Sequence, residues 1–174
     1  TQGFVEDAAW TLAQAGAAVS DFAMPKGFEA FEQAIRTVAG YEFAGAMAWE
    51  RLNHREQLSA ALLNGRVNDG LGVTLEEYRA ALAGLGIYRA QMAMAGRELD
   101  LLLCPSAPGE APAGLEATGA ATFNGLWTSL YLPCISLPLF QGPNGLPIGL
   151  QLVGHYGQDP RLIAAAAAIA TALT

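Results

Sequence analysis

Two short apolar runs near the end of the chain constrain its fold most. Cys134-Ile-Ser-Leu-Pro-Leu139 and Ile148-Gly-Leu-Gln-Leu-Val153 are separated by Gly142-Pro143-Asn144-Gly145. Apolar runs of roughly four to eight residues, rich in Ile, Leu and Val and bounded by turn residues, are strands rather than helices. The Gly-Pro-Asn-Gly segment turns the chain back on itself, so the two runs form an antiparallel hairpin with a longer loop. A third short run, Asp100 to Cys104, reads as another strand stopped by Pro105. The chain must therefore build a sheet and cover it.

Helical periodicity supplies the cover. Val5, Ala8, Ala9 and Leu12 share a face, with Gly16 as the stop. Ala17 to Met24 reads as a mostly buried strand ended by Pro25-Lys26-Gly27. Phe28, Phe31, Ile35 and Val38 mark a second helix, and Tyr41, Ala44, Ala48 and Leu52 a third. Asn64 to Gly72, with three glycines and two asparagines, reads as a loop. Thr74-Leu-Glu-Glu77 is a capping box: the Thr74 hydroxyl accepts from the third amide of the helix, and Glu77 reaches back to the Thr74 amide. Tyr78, Leu82, Leu85, Tyr88 and Met92 continue that helix towards Gly96. Ser106 to Gly119 is a Pro-, Gly- and Ala-rich loop of about fourteen residues, a length that often carries function. Thr122 reads as the cap of a short helix holding Phe123, Leu126, Trp127 and Leu130, ended by Pro133. Asp159-Pro160 reads as cap and first residue of an alanine-rich helix to Leu173. No repeat or linker interrupts the pattern. The fold class expected is α/β, a mixed β-sheet flanked by helices, in a single unit spanning residues 1–174.

Composition excludes several classes. Of 174 residues, 52% are hydrophobic and 14% charged, which excludes a disordered chain. The net charge is −7 and the single lysine is Lys26, so no basic field exists for a nucleic acid. The longest nearly apolar run, Leu162 to Leu173, falls far short of the ~20 residues that span a bilayer. Cys104 and Cys134 make neither a disulfide framework nor a Cys-x-x-Cys site, and with no signal segment they lean towards the cytoplasm. The chain begins at Thr1 rather than Met, which is expected of a processed chain or a fragment.

Catalytic machinery is hard to find. His54 and His155 have no second histidine or cysteine at ligand spacing, so no metal site is expected. Neither Gly-x-Ser-x-Gly nor Ser-x-x-Lys occurs. The glycines at 142, 145, 149, 154 and 157 match no nucleotide-binding spacing and read as turn and strand-packing residues. Ser106, His155 and Asp159 have the residue types of a hydrolytic triad, with nothing in their spacing to support one.

The second half nevertheless resembles the amidase signature family. The residues that carry the likeness are Asp100-Leu-Leu-Leu-Cys-Pro-Ser-Ala-Pro108, Ala111-Pro112, Thr118-Gly119 and Phe123-Asn-Gly-Leu-Trp-Thr-Ser-Leu130. Leu132-Pro-Cys-Ile-Ser-Leu-Pro138 follows, and then Gly145-Leu-Pro-Ile-Gly-Leu-Gln-Leu-Val-Gly154, the most specific piece. Weaker similarity reaches upstream to the capped helix at Thr74 and the opening segment ending in Pro25. Members of that family hydrolyse carboxamide bonds with two serines and a lysine base, without metal or cofactor. The resemblance places this chain in the C-terminal portion, after the Gly/Ser-rich signature. No adjacent serines occur, and Lys26 lies in a Pro-Lys-Gly turn unlike the family's lysine. The chain therefore lacks the Ser-Ser-Lys region, and no catalytic residue is carried over.

What the resemblance implies instead is a contribution to the substrate pocket, from Pro105, Ser106, Phe123, Asn124, Trp127 and Thr128. Core packing is the competing reading for Phe123 and Trp127, and local hydrogen bonding for Asn124 and Thr128. Tyr131 stands where the family often has glycine. The implied partners are a small amide substrate in a full-length parent, and either the missing N-terminal part of the same chain or a second copy. A stand-alone, non-catalytic α/β module that binds a partner or self-associates is the alternative, and such a chain would begin near Thr1.

Overall fold

The computed structural model describes residues 2–115 and 117–174. Thr1, at the start of the first expected helix, and Glu116, in the loop expected over Ser106 to Gly119, lie outside the described residues. Eight α-helices are described: α1 Gln2–Gln14, α2 Phe31–Ala46, α3 Ala48–Asn53, α4 Ala60–Leu62, α5 Asn68–Leu71, α6 Leu75–Gly96, α7 Thr122–Ser129 and α8 Asp159–Leu173. Three strands accompany them: β1 Leu102–Pro105, β2 Cys134–Gln141 and β3 Pro147–Val153. Residue contacts gather into two compact units, one of residues 1–24 with 92–174 and one of residues 25–91.

The first unit holds the sheet, in the order β1-β3-β2, with antiparallel pairing throughout the described strands. The expected hairpin is β2–β3, with Gly145 at φ 80° in its turn. The pairing slips between Leu137 and Phe140, at Pro138, where a residue without an N–H cannot join the ladder. Alternation puts Leu150 and Leu152 on one face of β3, both fully buried. They form a core with Ala8 of α1 and with Leu162 and Ala166 of α8, flanked by Leu103, Ile135 and Leu137. The α/β class with a helix-flanked sheet is thus realised.

Helix α1 ends as its sequence predicts. Gly16 takes φ 97°, its amide reaches Ala13 O at 3.1 Å, and the Ala17 amide reaches Leu12 O at 3.0 Å. These two bonds are the Schellman motif, which needs a left-handed residue at Gly16. The strand expected from Ala17 to Met24 does not form: the segment is irregular and almost wholly exposed, and has no ladder partner among the described residues. Two cap expectations are also corrected. The cap of α7 is Ala121, with Thr122 already inside the helix, and the cap of α8 is Gln158, with Asp159 inside.

In the second unit the helix breaks fall elsewhere than expected. One helix, α2, runs through Gly40 to Ala46, and the chain bends at Met47 before α3, because nothing at Val38–Tyr41 interrupts the backbone bonds. The expected loop at Asn64 to Gly72 is instead a wide helical turn, Leu63–Val67, followed by α5. Gly70 explains it: a Cβ there would overlap the Gly40 carbonyl, so glycine lets α5 pack directly on α2. Phe28, Phe31 and Tyr88 meet at ring separations of 4.9–5.1 Å, and Tyr41 stacks on Tyr78 at 4.4 Å. The capping box is present: Thr74 N–H donates to Glu77 Oε2 at 2.8 Å, and Glu77 N–H donates to Thr74 Oγ1 at 3.2 Å.

Candidate functional site

The face of the sheet opposite the Leu150 core carries a polar row. Register places Cys104 of β1, Gln151 of β3 and Ser136 of β2 in one row across the three strands. Gln151 is only 4% exposed, so its amide must find partners inside the protein. It does: the Cys104 thiol donates to Gln151 Oε1 at 3.5 Å, and Gln151 Nε2 donates to Asn124 Oδ1 at 2.7 Å. Asn124 lies on the first turn of α7 and donates its own Nδ2 to the Ser106 carbonyl at 3.5 Å. Ser106 follows β1 and stays in register through its amide, which donates to Gly149 O at 3.0 Å. Its hydroxyl lies 2.6 Å from the Ser136 hydroxyl. Gly149 makes that contact possible, since a Cβ there would overlap both oxygens.

Trp127, one turn beyond Asn124 on α7, is 5% exposed. Its indole N–H is buried without an oxygen or nitrogen partner. Burial pushes the neighbouring Cys104 thiol up to about 11, and the Trp127 indole opposes that shift without cancelling it. Burial likewise raises Cys134, whose side chain is partly exposed. Neither sulfur is an activated thiolate.

Four of the six residues singled out from sequence therefore gather here: Pro105 at the end of β1, then Ser106, Asn124 and Trp127. Phe123 is half-buried and Thr128 exposed, and neither enters the hydrogen-bonded row. Sequence reading missed Gln151 and Ser136. The signal for Gln151 was available, a lone amide in Leu150-Gln-Leu152, where an apolar strand has no reason to bury a polar group unless it is paired.

The triad drawn from Ser106, His155 and Asp159 does not form. Ser106 sits beside Gly149 and His155 lies beyond Val153, so β3 runs between them. His155 Nε2 instead donates to the Leu99 carbonyl at 2.6 Å. That imidazole lines a separate concavity of about 360 Å³ with Arg97, Asp100, Tyr156 and Arg161. Arg161 pairs there with Asp100 at 3.0 Å on the surface. Among the described residues, no group of three or more histidine, cysteine or acidic side chains is placed to hold a metal ion. No described helix is long and apolar enough to cross a membrane.

The sheet of this α/β chain is apolar on one face and on the other carries a hydroxyl pair beside a buried glutamine amide. The chain belongs to the Amidase family, whose model matches residues 1–163. It is 29% identical to a 2-amino-5-chloromuconic acid deaminase from Comamonas testosteroni, over 95% of this chain and 38% of the relative. It is 30% identical to the A subunit of a glutamyl-tRNA(Gln) amidotransferase from Ralstonia pickettii (strain 12J), over 69% of this chain and 25% of the relative. A crystal structure of an amidase superposes with a TM-score of 0.78 at 27% identity, covering 92% of this chain and 40% of that one. A 6-aminohexanoate cyclic dimer hydrolase complexed with substrate shares the fold, with a TM-score of 0.82 at 23% identity over 97% of this chain and 40% of that one. The chain thus spans two-fifths or less of the length of these relatives.

Proposed function

We propose that the chain is the C-terminal part of an amidohydrolase that cleaves carboxamide C–N bonds, that it contributes pocket and core, and that it is inactive by itself. The observation that carries this reading is the row Cys104–Gln151–Asn124–Ser106–Ser136. It offers hydroxyl and amide groups, whose donors and acceptors complement a carboxamide, and contains no carboxylate, imidazole or amine to take a proton. A serine without a base is a weak nucleophile. The only lysine, Lys26, lies in an exposed turn, with no serine beside it in the sequence. Family membership and the fraction of each relative that the chain spans support the rest: the remaining length would supply the serine nucleophile and its base.

In this reading Pro105, Ser106, Asn124 and Trp127 shape one side of the amide pocket, with Phe123 and Thr128 extending it along α7. The free thiols Cys104 and Cys134 fit residence in the cytoplasm. The partner is the rest of the same chain or, in its absence, a second copy covering exposed apolar side chains such as Trp10 and Met94.

The test is direct. Purified residues 1–174 should release no ammonia from aliphatic or aromatic amides. Turnover that survives removal of any longer enzyme and is abolished by Ser106→Ala would overturn the reading. Sedimentation at micromolar concentration completes it: an assembly is expected, whereas a stable 18.2 kDa monomer with no dye-binding apolar surface would favour a stand-alone module.

A further inference from the structure

The loop after β1 is held at a second point, far from its strand. Glu110 reaches across to the tip of the β2–β3 hairpin. Its Oε1 accepts from the Asn144 amide at 3.0 Å and the Leu146 amide at 2.9 Å. Its Oε2 accepts from Asn144 Nδ2 at 2.7 Å and, more weakly, from the Asn144 amide at 3.3 Å. The hairpin is shaped for this guest. Gly142 leaves the space that the carboxylate fills, since a Cβ there would overlap Glu110 Cγ, Cδ and Oε1. The turn is closed beneath it by Gly142 N–H to Leu146 O at 2.9 Å and Gly145 N–H to Gly142 O at 3.0 Å. Glu110, seated on two backbone amides and a side-chain amide in a Pro/Gly/Ala loop, is held by charge-assisted bonds rather than by solvation alone. Desolvation pushes its carboxyl up, but the bonds from Asn144 and Leu146 outweigh it and hold the group below the usual carboxylate range.

The position of this clasp matters because of what lies at its other end. Between the Ser106–Gly149 backbone bond and the Glu110 clasp, the segment 106–110 is tied twice to the same hairpin. With both ties in place, the Ser106 hydroxyl meets Ser136 and its carbonyl meets Asn124. With the outer tie gone, the segment keeps one backbone bond to the hairpin, Ser106 N–H to Gly149 O, at the end of a four-residue strand.

We propose that Glu110 is a positioning residue: by clasping the hairpin tip at Asn144 and Leu146 it fixes the segment that carries Ser106, and so sets the Ser106–Ser136 and Ser106–Asn124 contacts. Its consequence for substrate rests on the pocket reading above, and the experiment separates the two.

Amide hydrogen exchange on the intact protein reads the clasp. Glu110→Gln places an NH2 group where the carboxylate accepted from Asn144, so exchange at Asn144, Leu146 and Ser106 should quicken about tenfold or more. Glu110→Gln combined with Asn144→Asp reverses the side-chain pair while keeping an acceptor for the Leu146 amide, and should return Ser106 towards the native rate. Should Glu110→Gln fold poorly, Asn144→Ala removes one donor and should give the same pattern in weaker form. Wild-type exchange at Ser106 in every variant would overturn the proposal. In an active amidase containing this chain, Glu110→Gln should raise KM with kcat little changed. A KM unmoved by Glu110→Gln but raised by Asn124→Ala would overturn positioning and leave the pocket reading standing. A KM unmoved by both, with quickened exchange, would sustain the clasp and overturn the pocket reading.

Discussion

Gly16 and Tyr131 occupy the same position in the same helix-ending motif. At the end of α7 the Tyr131 amide reaches Thr128 O at 3.1 Å and the Leu132 amide reaches Trp127 O at 3.1 Å, the two bonds that Gly16 and Ala17 make after α1. Both central residues are left-handed, Gly16 at φ 97° and Tyr131 at φ 61°. Glycine takes that conformation without penalty and tyrosine does not. The motif explains why a glycine before Leu-Pro suits this position, and Tyr131 keeps it with a side chain 56% exposed.

Replacing Tyr131 by glycine and by alanine separates backbone from ring. Both variants lose the ring, and only alanine keeps the left-handed penalty. Tyr131→Gly should be more stable than Tyr131→Ala by about 1 kcal/mol in denaturant unfolding. Equal stabilities would mean that the end of α7 relaxes out of the motif.

Gly149 should tolerate no side chain while both hydroxyls remain. Gly149→Ala should cost about 1–3 kcal/mol, because the new methyl meets Ser106 and Ser136 together. Removing the Ser136 hydroxyl in the same molecule should recover part of that loss, and a double-mutant cycle measures the coupling. Strict additivity would show that the two serines are not what excludes the methyl.

Trp127 combines a buried ring with an N–H that has no oxygen or nitrogen partner among the described residues. Trp127→Ala should cost about 3–5 kcal/mol, as loss of a large buried aromatic does. Trp127→Phe removes the indole N–H as well as part of the ring, and should cost much less. A Phe variant as damaged as the Ala variant would show that the contact between the indole and the Cys104 thiol matters as much as the ring.

The thiols should differ in reactivity. Cys134 is the exposed one and should be alkylated first near neutral pH, whereas Cys104, pushed to about 11 by burial, should resist. A thiol whose pKa is raised by folding favours the native state while it stays protonated. That contribution is present below the reference value of 9.0 and is lost as pH rises towards about 11. Cys104→Ala should therefore flatten the alkaline end of the stability profile, which thermal melts between those limits can read.

At the acid end, Glu77 should report the capping box. The Thr74 amide, then its hydroxyl, hold this carboxyl below 4.5 against a small desolvation effect. A depressed carboxyl stabilises above its ordinary range and loses that effect as pH falls through the folded value. The Thr74 amide proton should titrate with a midpoint below 4.5, and the transition should vanish in Glu77→Gln.

Where the sequence was legible, one local rule decided the outcome. The capping box at Thr74, the stop at Gly16 and the β2–β3 hairpin each depend on residues within a few positions of one another. The misreadings came where distant partners decide. Ala17 to Met24 has the composition of a strand, but a strand exists only against a ladder. Asn64 to Gly72 has the composition of a loop, yet Gly70 is there to let α5 touch α2 at Gly40. Ser106, read from sequence as a pocket residue, has its carbonyl met by Asn124 of α7, while Ser136 and Gln151 became visible only once register set them in one row. Glu110 was silent in sequence because its partners stand more than thirty positions away.

The sheet order has a consequence for synthesis. The central strand, β3, is the last of the three to leave the ribosome, and both others pair only with it among the described strands. Until Val153 has emerged, β1 and β2 are edges without a ladder, carrying unpaired amides and the cysteines on their polar side. A chain stopped before Pro147 would keep α1 to α7 and lose both α8 and the strand on which β1 and β2 pair.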